Sequence, residues 1–261
     1  VLRNALNQAV RWELVVRNAA SLAYSPRVEH DEPVTWTLDE ARKFLDVVRD
    51  DRLAAAFLLD AATGMRRGEL LGLRWQDVDL VEGTASINGA VQRLRGQGLV
   101  RTPPKTRQGR RTVAIAPMVV EALEAHRKRQ AKEREFAGTR WVQTDYVFTS
   151  AVGTPIEPRN LTRRFQRLAA SAGVPVTRFH DLRHFAASAQ LIDGAPINAV
   201  QQQLGHSKAS TTLDIYAHIN QQVQRERATR MGVLLGGQPE ESQLNGPPIG
   251  SPPVIEEELN A

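Results

Sequence analysis

Leu204-Gly205-His206-Ser207-Lys208-Ala209-Ser210-Thr211-Thr212-Leu213-Asp214-Ile215-Tyr216 reads as a helix that stops and starts again. The pattern over residues 196–204 is helical, Gly205 suits the left-handed turn that ends a helix, and a helical pattern resumes near Ser207 over 209–217. The break puts His206 where a side chain reaches outward, and Tyr216 falls ten residues later, on or just after the next helix. Two plain alternatives fit the same letters: Tyr216 as a half-buried aromatic, or a helix-turn-helix that reads DNA without chemistry. Upstream, His180-Asp181-Leu182-Arg183 opens a helix with His and Arg three apart on one face and an acid near its positive end. A His donor beside an Arg fork can hold one phosphate from two directions. An ordinary polar first turn of a helix would use the same residues.

Outward from these segments the pattern stays mainly helical. Helices are predicted near 118–135, 158–171, 181–192 and 196–204, with Pro117, Pro158 and Pro196 near three starts, where a missing N–H costs little. Thr37-Leu38-Asp39-Glu40 is a capping box opening a helix to about Val48, and 53–62 reads as another. Between them and Pro117, residues 84–91, 99–102 and 111–116 are strand candidates, with turns at Gly96/Gly98 and Gly109. The expected fold class is therefore α+β, mainly α-helical with a small antiparallel β-sheet. Residues 1–24 carry a helical stripe (Leu2, Leu6, Val10, Leu14), 25–36 read as a linker with two prolines, and 37–235 form the main domain. Residues 236–261, rich in Pro, Gly and acid, read as a disordered tail.

Composition narrows the function. The 261 residues include no cysteine, which excludes disulfides, thiol nucleophiles and Cys-ligated metals. The longest apolar run, 53–59, is far short of a membrane span, and a cytoplasmic location is expected. Val1-Leu2-Arg3-Asn4 has neither initiator Met nor signal-peptide layout and reads as an internal cut, with the partners of the 1–24 stripe upstream. The net charge of +5 conceals five acids and no Lys or Arg in 236–261, so the body carries +10. Such a body suits a polyanion partner, because each neutralised phosphate releases a counterion.

Two further segments bear on that partner. In Thr63-Gly64-Met65-Arg66-Arg67-Gly68-Glu69-Leu70, Gly64 permits a tight turn from which an Arg fork can meet a phosphate. A surface ion pair of Arg66 or Arg67 with Glu69 is the ordinary alternative. Pro103-Pro104-Lys105-Thr106-Arg107-Gln108-Gly109-Arg110-Arg111 is a hairpin tip with four basic residues in seven, either presenting Lys105 to DNA or simply solvated. Taken together as TGMRRGEL, PPKTRQGRRTV, HDLRH and LGHSKASTTLDIYAH, these segments resemble the catalytic domain of the tyrosine recombinase (phage integrase) family over about residues 35–230. The opening helix with its RNAAS ending resembles the last helix of that family's core-binding domain.

The resemblance implies that Arg66, Lys105, His180, Arg183 and His206 are active-site residues and Tyr216 the nucleophile. Met65 stands where Leu is usual, a volume-conserving change, and the His-to-Tyr interval is one residue longer than the family's shorter form. A Tyr hydroxyl with pKa near 10 is only about one part in a thousand phenolate at pH 7, so it needs help. Arg66, Arg183 and His206 would hold the non-bridging phosphate oxygens, His180 would accept the Tyr proton or buffer the site, and Lys105 would protonate the leaving 5′-oxygen. The product would be a 3′-phosphotyrosyl DNA, with neither metal, cofactor nor ATP required; the sequence holds no Walker loop and no metal-ligand spacing.

The implied partners are double-stranded DNA with specific recombination sites, a homotetramer on paired sites, and accessory DNA-bending or directionality factors. The rival readings are a type IB topoisomerase-like nicking-resealing enzyme and a non-catalytic helix-turn-helix module. Glu69 is expected to orient Arg66, the four tryptophans to be packing anchors, and His184 and His218 to have no required role. His30 is placed in the linker and His126 on an exposed helix.

Overall fold

The computed structural model describes residues 2–23, 35–104, 109–205, 231 and 235. The chain divides into two compact units, Val1–Pro33 and Val34–Ala261.

In the first unit the helix is shorter than the stripe suggested. Helix α1 spans Leu2–Arg11, the chain turns through Glu13 at φ 58°, and a 3-10 turn follows at Ala19–Ser21. Asn18 accounts for the break. Its Oδ1 accepts from the Ala20 N–H, while its Nδ2 donates back to Arg3 O (2.8 Å) and Asn7 Oδ1. Trp12, expected as an anchor, is exposed.

The second unit begins earlier than expected. Trp36, assigned to the linker, is buried against Phe44 and Phe165 (ring centroids 4.9 and 5.4 Å apart), and its Nε1 donates to Pro175 O at 2.8 Å. Next comes α2 (Leu38–Val47), opened by the expected Thr37/Glu40 capping box, and then α3 (Ala54–Thr63). Apolar nearly all round, α3 forms the centre of the core, packed against α2, α5 (Pro117–Ala137) and α7 (Asp181–Ile192). Phe57 of α3 meets Phe44, Phe165 and Phe179, and these rings pack at tilted or edge-on angles, as ring quadrupoles favour.

The single sheet expected from the sequence is two sheets. Strands β1 (Val78–Asp79), β2 (Thr84–Ile87) and β5 (Arg111–Ala114) form one antiparallel sheet in the order β1-β2-β5. A separate hairpin pairs β3 (Ala90–Leu94) with β4 (Gly98–Thr102), turning at Gly96 and Gly98, both at positive φ. The predicted strand 84–91 is thus split at Asn88-Gly89. A Cβ on Gly89 would lie 2.6 Å from the Arg101 guanidinium, which donates to Gly72 O and Asp77, so the backbone approaches an ion pair where a continuous strand would run.

Helices α6 (Pro158–Ser171) and α8 (Ile197–Leu204) complete the α-helices of the unit among the described residues, apart from the short α4 (Arg67–Leu71), and Pro117 and Pro158 each open a helix as expected. A small cluster of Ala187, Leu191, Val200 and Leu204 joins α8 to α7, and α8 also lies against β5. His126, expected on an exposed face, is instead buried on α5, with Nε2 hydrogen-bonded to Val147 O at 2.8 Å. A step of four residues from buried Val119 to buried Leu123, then three to His126, puts it on the inner stripe. Among the described residues no helix is long and apolar enough to cross a membrane.

Candidate active site

Arg66 precedes α4 (Arg67–Leu71) in extended backbone, at the N-cap. The left-handed Gly64 (φ 64°) ends α3 two residues earlier and turns the chain so that Arg66 faces the end of α8. Glu69, three residues on, accepts from the Arg66 backbone N–H (3.0 Å) and from its Nη1 (2.8 Å). The expected orienting contact is therefore present. The other nitrogen, Nη2, donates to Gly205 O at 3.0 Å.

Arg183 lies in the first turn of α7 and is 3% exposed. Its Nη1 donates to Gly64 O (2.6 Å) and its Nη2 to Leu204 O (2.7 Å). The same guanidinium thus holds the turn before Arg66 and the last turn of α8. These bonds use only part of its donor set. Burial, then the neighbouring charges of Arg66 and Arg111, pull its pKa down to about 9, so it remains a cation at pH 7.

A third arginine completes the arrangement. Arg111 on β5 places Nη2 on Glu69 Oε2 (2.8 Å) and Nη1 on Oε1 (3.3 Å), while its Nε donates to Gln203 O. Three consecutive carbonyls at the end of α8, those of Gln203, Leu204 and Gly205, each accept from a different arginine. These are the acceptors a helix leaves unsatisfied at its negative end, where cations are favoured.

The charges do not cancel. Burial acts to raise Glu69, but Arg111 and then Arg66 prevail and hold its carboxyl below the ordinary value. Asp60 on α3 is the second acid nearby, fully buried, with neither carboxylate oxygen hydrogen-bonded among the described residues. Burial pushes its pKa well up, against the opposing pull of Arg183. Among the described residues three guanidiniums thus stand against two carboxylates, those of Glu69 and Asp60, and of the three only Arg66, with 41% of its side chain exposed, reaches solvent to any extent. Such a site accepts an anion.

His180 immediately precedes α7 and makes an edge-on ring contact with His184, centroids 5.5 Å apart. His180 is exposed at the surface, yet partial desolvation by the protein beside it, then His184 and Arg183, lower its pKa to about 4. The imidazole is neutral at pH 7 and able to accept a proton. Of the six predicted residues, Arg66 and Arg183 meet at the end of α8, and His180 lies one helical turn from Arg183. Lys105, His206 and Tyr216 lie outside the described residues.

Arg111 and Asp60 had no assigned role in the sequence. A signal for Arg111 was present: it shares the β5 face with buried Val113, so strand alternation turns it inward, where an arginine requires a carboxylate. Nothing in the sequence singles out Asp60 beyond an acid in an otherwise apolar helix.

Residues 35–223 match the phage integrase family. A tyrosine recombinase XerC-like protein of Caldanaerobacter subterraneus is 34% identical over 196 residues, covering 71% of this chain and 50% of the relative. The ICEBs1 integrase of Bacillus subtilis is 27% identical over 236 residues, covering 90% and 64%. The chain thus spans between half and two thirds of these relatives. The XerA recombinase structure superimposes with a TM-score of 0.61 at 27% identity, covering 82% of this chain and 68% of that one. A Tn1549 transposon integrase bound to transposon right-end DNA shares the fold, with TM-score 0.72 at 23% identity, covering 88% and 76%. On the match over residues 35–223 and this agreement of fold, the chain belongs to the phage integrase family of tyrosine recombinases.

Proposed function

We propose that the chain is the strand-transferring part of a site-specific DNA recombinase. The observation that carries this reading is the excess of guanidinium over carboxylate around Arg66, Arg183 and Arg111, which needs an anion to balance it. Arg66 and Arg183 bind the non-bridging oxygens of the scissile phosphate, joined by His206. The Tyr216 oxygen attacks phosphorus, its proton passing to neutral His180 or to water. As the Tyr–phosphorus bond forms, the bond to the deoxyribose 5′-oxygen breaks, and Lys105 protonates that oxygen. One phosphodiester replaces another, so the bond energy is kept for a 5′-hydroxyl of a second duplex to reverse the step. The Tn1549 integrase of the same fold is named for its complex with transposon-end DNA, which supports DNA as the partner here. A homotetramer on paired sites, with accessory DNA-bending or directionality proteins at the nucleoid, completes the proposal.

The test uses a nicked suicide duplex spanning the DNA junction beside the chain's own coding sequence. Wild type is expected to give a covalent protein–DNA adduct on a denaturing gel. Tyr216→Phe is expected to bind the duplex and give none. An adduct in the Phe variant removes Tyr216 as nucleophile, and plasmid relaxation without exchange products would point to a topoisomerase-like activity.

A further inference from the structure

Glu69 has two arginine partners of different character. Arg111 is as buried as the carboxylate, with side-chain exposures of 6% and 8%, whereas Arg66 is 41% exposed. Arg111 covers both carboxylate oxygens, but Arg66 reaches only one with its side chain. A buried carboxylate must have a counter-charge, and removing one partner of such a pair is severe because the other charge stays behind. If Arg66 alone balanced Glu69, its charge would be consumed within the protein.

We infer that Arg111 is a positioning residue that acts as the permanent counterion of Glu69, so that Glu69 can orient Arg66 without neutralising it. Arg66 is then held by the carboxylate and by Gly205 O while its net charge remains available to an incoming anion. The inference rests on the reading of Arg66 as a phosphate ligand, and it assigns separate duties to two arginines on one acid. It also explains why a strand that otherwise contributes only Val113 to the core turns an arginine inward.

The experiment titrates inorganic phosphate at low ionic strength into the whole chain and its variants, with thermal melting and the DNA adduct assay alongside. Arg111→Met leaves Glu69 to Arg66, and phosphate binding is expected to weaken about tenfold or more. Glu69→Gln/Arg111→Met removes both charges, and most of the affinity is expected to return although a second residue has been changed. Arg111→Lys keeps a charge beside Glu69 but not the fork that also reaches Gln203 O, and is expected to bind phosphate within a few-fold of wild type.

No recovery in the double variant, or a Lys variant as weak as Met, would overturn the inference and make Arg111 a scaffold for the end of α8. Should Arg111→Met fail to fold, the Lys and double variants still decide. Charge rescue of phosphate binding without any DNA adduct in wild type would keep the inference and overturn the recombinase reading. No phosphate binding by wild type would overturn the phosphate-ligand role of Arg66 and the inference together.

Discussion

At the scale of single residues, charge type matters less than the shape in which charge is delivered. Arg183 holds Gly64 O and Leu204 O, carbonyls of two segments far apart in sequence, with the two ends of one planar fork. An ammonium has no such geometry. Arg183→Lys is therefore expected to lower unfolding free energy by about 2 kcal/mol in urea titration, the scale of one charge-assisted hydrogen bond to a buried carbonyl. Adduct formation is expected to fall by about 10²-fold or more, as when a donor to developing oxyanion charge is removed. A Lys variant with wild-type adduct rates would show that the fork is dispensable.

At the scale of elements, the end of α8 is where β5, α7 and the α4 N-cap are tied together. Gly205 makes this possible. It sits at φ 66°, and a Cβ there would come within 2.8 Å of Arg111 Nη1 and 3.1 Å of its Cζ. Arg111 is pinned by Glu69 and Gln203 O, so it cannot swing away cheaply. Gly96 in the β3–β4 turn provides the comparison, at φ 77° with nothing within 4 Å of its would-be Cβ. Gly96→Ala is expected to cost about 1 kcal/mol, the backbone term alone. Gly205→Ala should cost at least about twice that and also abolish adduct formation. Equal losses in urea titrations of the two variants would show that the arginine cluster yields without cost.

At the scale of the whole molecule, burial sets a pH dependence. His126 is held neutral inside α5, its pKa lowered by burial and only partly supported by the Val147 carbonyl. A folded-state value below the unfolded 6.5 means that the unfolded chain takes up the proton first, so stability is lost as pH falls below 6.5. His126→Gln has no such proton. The melting-temperature curves of wild type and variant are expected to run parallel above pH 7, with wild type falling relative to the variant below 6.5. Parallel curves down to pH 5 would mean that His126 is protonated within the fold without penalty.

Local grammar in the sequence determined the ends of several helices of the second unit. The Thr37/Glu40 box, Pro117, Pro158 and Gly205 act within a few residues of themselves, and the structure places α2, α5, α6 and α8 accordingly. The residue types of HDLRH and TGMRRGEL likewise made Arg66, His180 and Arg183 candidates, and the packed core brings Arg66 and Arg183 together at the end of α8. Tertiary structure decided what those arginines hold, because their partners lie far along the chain: Arg66 and Gly205 are 139 residues apart, and Arg111 and Gln203 are 92. It also broke the predicted 84–91 strand against the Arg101 ion pair, brought Trp36 into the core and buried His126. Spacing along a chain encodes hydrogen bonds that close within one turn; the balance of buried charge depends on which distant groups the packed core brings together.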